Sequence, residues 1–358
     1  MDNPMTDHHL LAGYHGYTRR KWLFIAGTAV VLFVFIAVGI TLGTADISIS
    51  EAFTALLGRG EHWQRQIIWQ IRLPRVLAAV LAGVALASAG SSMQSILRNP
   101  LGSPFTLGIA SAAAFGAAFA VIVLGAGSVH SSARDAVILN NPYLVTISAF
   151  LWCLIATVVI LMLARLGRPT PETLVLAGIA LGSLFSAGFT ALEYMADEVQ
   201  LASVIFWTFG DLGKATWRDF GILAAAVLPV TSYFIWHGWT YNALDGGDEL
   251  ARSMGIPVDR IRTTGMVLAS LVTALVVSFF GIIGFVGLVV PHIVRRSIGG
   301  DERYLIAGSA VFGGAFLLMA DTVARTVISP LVLPVGILTS FLGAPLFIYL
   351  LVKGRRYW

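Results

Sequence analysis

Tyr143-Leu-Val-Thr-Ile-Ser-Ala-Phe-Leu-Trp-Cys-Leu-Ile-Ala-Thr-Val-Val-Ile-Leu-Met-Leu-Ala164 contains no charged residue, no glycine and no proline. About twenty such residues are what an α-helix needs to cross ~30 Å of hydrocarbon at ~1.5 Å per residue. The apolar residues run continuously rather than alternating. The segment must therefore satisfy its own backbone hydrogen bonds as a helix, which excludes a barrel strand. Cys153, the only cysteine, falls inside it, so neither an internal disulfide nor a multi-thiolate metal site can form.

Comparable stretches recur on both sides, at 22–42, 76–96, 106–125, 173–192, 218–237, 264–280, 282–294, 305–321 and 334–352. Together they predict an all-α polytopic membrane protein with about ten transmembrane helices. The composition agrees: 57% of residues are hydrophobic and 12% charged, against roughly 25% charged in soluble domains. The mean hydropathy is +0.83. The stretch at 282–294 is too short to span unaided and must be shielded by its neighbours. Residues 1–20 read as a cytoplasmic tail, 21–358 as one transmembrane domain. No cleavage pattern follows the first apolar run, which reads as a retained anchor.

Basic residues near span ends are retained on the cytoplasmic side. With both termini inside, Arg19, Arg20, Lys21, Arg98, Arg165, Arg168, Arg252, Arg260, Arg262, Arg295, Arg296, Arg303, Lys353, Arg355 and Arg356 face the cytoplasm. Arg59, Arg65, Arg72, Arg75, Arg134, Lys214, Arg218 and Arg325 face outward. The bias is roughly two-to-one inward. The net charge of +4 thus reflects membrane topology. Basic residues scattered between apolar runs form no nucleic-acid surface.

The longest inward connection, 238–263, carries Asp245-Gly-Gly-Asp-Glu-Leu-Ala-Arg-Ser-Met-Gly-Ile-Pro-Val-Asp-Arg260. It predicts an acidic helix start, a short helix ending near Gly255 and a second turn opened by Pro257, a loop built to dock. Pro100 and Pro104 force irregular backbone between the second and third spans, making Asn99 and Leu101 candidates for a pore mouth or, equally, a tight turn. Residues 47–57 and 201–209 are expected at the outer interface, with Trp63, Trp69, Trp207 and Trp217 as anchors. Gly178, Gly182, Gly284 and Gly287 offer faces for close helix approach. A repeat at an offset of about 197 residues, aligning Ile109 with Ile306 and Arg98 with Arg295, suggests a duplicated helix pair.

No phosphate-binding loop is present: Gly210-Asp-Leu-Gly-Lys-Ala has the wrong spacing and lacks the hydroxyl. The chain is not expected to hydrolyse ATP, and no metalloprotease or nucleophile-elbow motif suggests another enzyme. Glu172, Glu193, His292 and Asp321 lie near span ends, too shallow for a proton relay, and are expected to have local structural partners.

Several motifs occur in one fixed order: Arg72-Leu-Pro-Arg75; Met93-Gln94 followed by Arg98-Asn-Pro-Leu101; Leu176-Ala-Gly178; Gly281-Ile-Ile-Gly-Phe-Val-Gly-Leu-Val-Val-Pro-His-Ile-Val-Arg295; Ala320-Asp-Thr-Val-Ala-Arg325; and Leu333-Pro-Val-Gly-Ile-Leu-Thr-Ser-Phe-Leu-Gly-Ala-Pro345. The set resembles the FecCD-type permeases, importers of ferric siderophores, haem and cobalamin, from Trp22 onward. The resemblance implies a type II ABC importer permease in a bacterial or archaeal cytoplasmic membrane. Its partners would be two cytoplasmic ATPase subunits, a second permease subunit (a homodimer before a heterodimer) and a periplasmic or lipid-anchored binding protein. ATP and Mg would act on the ATPase subunits, and this chain would hold no cofactor. The implied cargo is a ferric siderophore or similar chelate, then haem or cobalamin; an ion-coupled carrier is the alternative from another class. By the same resemblance Arg72, Arg75 and Arg325 receive carboxylates of the binding protein, so that Arg72→Glu with Arg75→Glu would abolish docking. Asn99 and Leu101 form a cytoplasmic gate, and Glu249, Arg252, Met254, Gly255, Ile256 and Arg260 couple to the ATPase. Pro169-Thr-Pro-Glu172 departs from the small hydroxyl residues usual in the family, and no gating role is assigned there.

Overall fold

A computed structural model describes residues 4–43, 45, 47–126, 128–130, 137–139, 141–166, 170–328 and 331–353. Arg134, Arg168, Pro169, Arg355 and Arg356 lie outside the described residues. In chain order the helices are α1 (Pro4–Thr41), α2 (Ile49–Leu56), α3 (His62–Gln66), α4 (Leu73–Ile96), α5 (Ile109–Ala118), α6 (Pro142–Leu166), α7 (Pro171–Met195), α8 (Glu198–Thr208), α9 (Trp217–Trp236), α10 (Gly238–Asp245), α11 (Asp248–Ser253), α12 (Val258–Phe280), α13 (Val286–Ile298), α14 (Glu302–Thr326) and α15 (Val335–Lys353). One antiparallel hairpin, β1 (Ser128–His130) with β2 (Val137–Leu139), interrupts the connection between α5 and α6.

Each expected span falls on a helix. Stretches within α1, α3–α4, α6, α7, α9, α12 and α14 are long and apolar enough to cross a membrane; α5 with its π-helical extension, and α15, are shorter. The stretch at 282–294 is corrected: residues 281–284 are not helical, Phe285 takes a left-handed φ of 67°, and α13 begins only at Val286. Pro291 inside α13 removes a further helix hydrogen bond.

The bundle is organised around α4. In its most apolar window 83% of residues are buried, against 17% in α1 and in α7, so α4 is the axis and those two lie at the periphery of the chain. It packs against α9, α12, α13 and α14, which its Gly/Ala/Ser-rich sequence permits. In lipid no hydrophobic force draws helices together, so small residues that let backbones touch provide the packing energy. A Cβ on Gly83 would lie 2.2 Å from the Gly313 carbonyl oxygen, and one on Gly90 would lie 1.8 Å from that of Gly287. Of the four glycines expected at close contacts, Gly178, Gly182 and Gly287 meet neighbouring backbone; Gly284 has only the Ser340 hydroxyl at 3.6 Å.

Three backbone breaks converge. Asp211 N–H donates to Phe280 O at 2.7 Å and Gly336 N–H to Gly210 O at 3.2 Å. The non-helical residues Gly210 and Asp211 thus pair with the C-terminal carbonyl of α12 and with an N–H in the first turn of α15, which satisfies irregular backbone at membrane depth. Gly210 and Gly281, with φ of 73° and 77°, make the crossing sterically feasible. A cavity of about 600 Å³ opens beside it between Phe209, Ile282, Ile337, Phe341 and Pro345.

At the opposite end Lys21 of α1 is fully buried. Its Nζ lies 3.1 Å from Asp301 Oδ2 and over the rings of Tyr17 and Tyr304. Asp301 also accepts from Arg303 and from Asn242 on α10. Burial alone would raise the Asp301 pKa, but these donors hold it far below the ordinary carboxylate range. The cluster ties α1 to the start of α14 and to α10.

Trp207 is buried, so it is not an interfacial anchor. Trp69 and Trp217 do pair at the surface, with Trp217 Nε1 donating to Trp69 O at 2.7 Å. The 197-residue offset is not matched by helix ends: α4 stops at Ile96 whereas α13 runs to Ile298, beyond the position equivalent to Arg98.

Candidate coupling surface and gate

The connection at 238–263 folds as two short helices and a turn. Gly247, at φ 111°, turns the chain out of α10, and α11 follows with Asp248 and Glu249 in its first turn and Arg252 in its last, each sign opposing the helix dipole. Gly255, at φ 80°, ends α11: Gly255 N–H donates to Arg252 O and Ile256 N–H to Ala251 O, both at 3.0 Å. This left-handed cap explains why glycine occupies the position. Ala251 and Val258 are buried and seat the element, while Glu249, Leu250, Arg252, Met254 (63% exposed), Gly255 and Arg260 face outward. Ile256 is half-buried against the core, an anchor more than a contact. The Arg252–Asp259 pair, 3.4 Å apart and exposed on both sides, contributes little.

Asp248 turns inward instead. Arg262 Nη2 donates to its two oxygens at 2.8 and 3.1 Å, and the Arg262 side chain is 4% exposed. Partial burial alone would raise the Asp248 pKa; the Arg262 hydrogen bond and charge, with Arg98 and Arg252 nearby, hold it below the usual carboxylate range.

The stretch with Asn99 and Leu101 hangs from the C-terminus of α4. Arg98 takes a left-handed φ of 46°. Asn99 Oδ1 accepts from Leu101 N–H at 2.9 Å, and Asn99 O from Gly102 N–H at 2.8 Å, forming an Asx-type turn. A 3₁₀ turn at Pro104–Leu107 leads to α5. Leu101 is 41% exposed and Asn99 half-buried. Arg98 at the head of this loop and α11 share the wall of a cleft of about 910 Å³, which Thr170, Pro171 and Glu172 at the start of α7 complete; Asn99 and Leu101 do not line it. The segment given no role from sequence therefore borders the same cleft.

At the other end of α4, Arg72, Arg75 and Arg325 are all buried. Arg75 grips Asp321 with Nε at 3.1 Å from both oxygens and Nη2 at 2.8 Å from Oδ1; Arg325 Nε lies 3.2 Å from Oδ2. Arg72 donates to Ile40 O, Thr41 O and Ala45 O, and Arg325 to Gly39 O and Leu42 O. Two guanidinium groups thus cap the C-terminus of α1, where orphan carbonyls and the negative dipole end gather. Burial changes the mutational expectation: Arg75→Glu would set a second carboxylate against Asp321, so the double reversal would test folding before docking. His292, with Gln94 Nε2 3.5 Å from its Nδ1, faces the far end of α4. Residues 75 and 94 of that helix stand roughly 28 Å apart at ~1.5 Å per residue, so Asp321 and His292 form no common site. Among the described residues no group of three His, Cys, Asp or Glu could hold a metal ion.

Residues 30–353 match the model of the FecCD transport family. The chain belongs to that family. It is 52% identical over 340 residues to a Methanocaldococcus jannaschii protein described as an ABC transporter permease, covering 95% of this chain and 97% of the relative. With the hemin transport system permease protein HmuU of Yersinia pestis it shares 36% over 332 residues, covering 92% and 96%. A solved structure described as an inward-facing conformation of a metal-chelate type ABC transporter superposes with a TM-score of 0.80 at 28% identity, covering 92% of this chain and 98% of that one. The protein is thus a multi-pass ABC importer permease of the type II architecture, a transport component. Within this FecCD permease the buried Asp248–Arg262 pair and the Asp321 counter-ion were not apparent from sequence. Asp248 and Arg262, and Asp321 and Arg75, lie on separate helices that only the fold brings together; Arg325 is one turn from Asp321 on α14.

Proposed function

We propose that this permease forms the membrane pathway of an ATP-driven importer of an iron chelate, with the ATPase activity in separate cytoplasmic subunits that grip α11. The observation that carries the reading is the build of α11: both ends are capped by residues with positive φ or an acidic first turn, its inner face is seated, and its outer face is exposed. Force from a closing ATPase can act on the pathway only through a rigid contact, which a capped helix supplies and a coil does not. The end bearing α11 is then cytoplasmic, as are both termini, in keeping with the distribution of basic residues.

An iron chelate is favoured because hemin is carried by one relative's system and a metal chelate by the structural neighbour. The outward end carries three buried arginines against Asp321, with Asp211 only 4.0 Å from Arg75. The three guanidinium groups are taken up by these carboxylates and by carbonyls of α1, so a binding protein would meet the exposed residues around the cluster rather than the guanidinium groups themselves in this conformation. Two permease copies, two ATPase subunits and one binding protein complete the assembly, and Asn99 and Leu101 close its inner mouth.

Arg252→Glu combined with Met254→Glu tests the reading. Co-purification with the ATPase subunits should weaken about thirtyfold, or ~2 kcal/mol. The permease's own stability should change by less than about 0.5 kcal/mol, because both side chains are exposed. Unaltered binding would remove α11 from the interface. Proteoliposomes containing the whole complex, offered hemin, a ferric siderophore and cobalamin, identify the cargo; uptake without ATPase subunits would refute ATP coupling.

A further inference from the structure

We infer that Arg262 is the positioning residue through which α11 moves the gate loop. One guanidinium bridges the two elements. Its Nη2 holds both oxygens of Asp248, the first residue of α11, and its Nε points at the carbonyl of Ile96, the last residue of α4, at 3.4 Å. Asn99 and Leu101 follow directly from that helix end. The inference rests on the reading of α11 as the ATPase contact.

Three features make this a mechanical link rather than a generic ion pair. The Arg262 side chain is 4% exposed, so solvent cannot absorb a displacement between its partners. The guanidinium is rigid and planar, with Nη2 on both oxygens of Asp248 and Nε facing Ile96 O, so a shift of Asp248 must either turn the whole fork or break both Nη2 contacts at once. The body of α4 is fixed, since Gly83 and Gly90 sit backbone-to-backbone on α14 and α13. Motion delivered at Ile96 is therefore confined to the last turn and the loop beyond it. That loop begins at Arg98, whose left-handed φ of 46° costs a non-glycine residue about 1–2 kcal/mol. Backbone held in such a region is where a two-state element can relax. Arg98 also reaches toward Gly247, the residue that turns the chain into α11: a Cβ there would lie 3.8 Å from the arginine's Nη2.

The decisive variant is Arg262→Lys, which keeps the charge and gives up the fork. In the reconstituted complex it should retain ATPase binding and hydrolysis, while cargo moved per ATP falls about tenfold. Asp248→Asn, at a side chain that is 29% exposed, should do the same and decides the matter if Arg262→Lys fails to fold. A second readout follows the gate itself. In a Cys153→Ala background, the maleimide reactivity of Leu101→Cys should change about threefold or more with nucleotide in the parent complex. With Arg262→Lys it should become indifferent to nucleotide, while a fluorophore on Ser253→Cys in α11 still responds. Parental transport per ATP in both variants, or an unchanged nucleotide response at Leu101→Cys, overturns the inference alone. Absence of any nucleotide response at Ser253→Cys in the parent complex overturns the reading of α11, and the inference with it.

Discussion

Gly90→Ala is expected to leave almost no folded permease. The added Cβ would stand 1.8 Å from the Gly287 carbonyl oxygen and 2.6 Å from its Cα. Both are backbone atoms, so no side chain can rotate away; α4 and α13 would have to separate along their whole contact. Overpacking a core typically costs about 1–3 kcal/mol, and a clash of backbone with backbone belongs at or above the top of that range. The check is fluorescence-detected size exclusion and thermal unfolding in detergent, with Gly27→Ala as control, since nothing lies within 4 Å of a Cβ there. The control should be neutral or slightly stabilising, by up to ~1 kcal/mol, because alanine favours helix. A Gly90→Ala protein that elutes and melts with the parent would show that α4 and α13 do not cross this closely.

Asp321→Asn should cost nearly as much for an electrostatic reason. The carboxylate has no exposure and serves Arg75 and Arg325 together. Removing it leaves buried Arg325 without a counter-charge and Arg75 with only Asp211 at 4.0 Å, a loss of about 3–5 kcal/mol for a broken buried pair. The same unfolding assay applies. Adding Arg75→Met to Asp321→Asn should recover part of the loss, since removing both partners costs less than stranding one. A parental melting temperature for Asp321→Asn would mean that carbonyl contacts at the end of α1 suffice for both arginines.

Continuous apolar runs carried the helices: every expected span lies on one, because in hydrocarbon the backbone has no other way to satisfy itself. The short helix and turns at 238–263 were readable for a similar reason, since Gly247, Gly255 and Pro257 punctuate a chain locally. Relations between distant segments were not readable. Nothing around Arg75 or Arg325 in sequence says that each guanidinium points inward, and charge near a span end looks the same whether it meets water or Asp321. The late start of α13 goes with left-handed backbone at Gly281 and Phe285, which periodicity cannot register. Trp207 looked like an interfacial tryptophan because its burial is a property of the neighbours that cover it.

Lys21 and Asp301 are separated by 280 positions, and that interval has a meaning in time. The ribosome makes the cation long before its counter-charge. Until residue 301 is made, Lys21 is an ammonium group without this carboxylate partner. When α14 finally arrives, the same ammonium group is taken out of water between Asp301 and two tyrosine rings. At this end the first span is thereby bolted to the bundle by a residue made only near the end of synthesis.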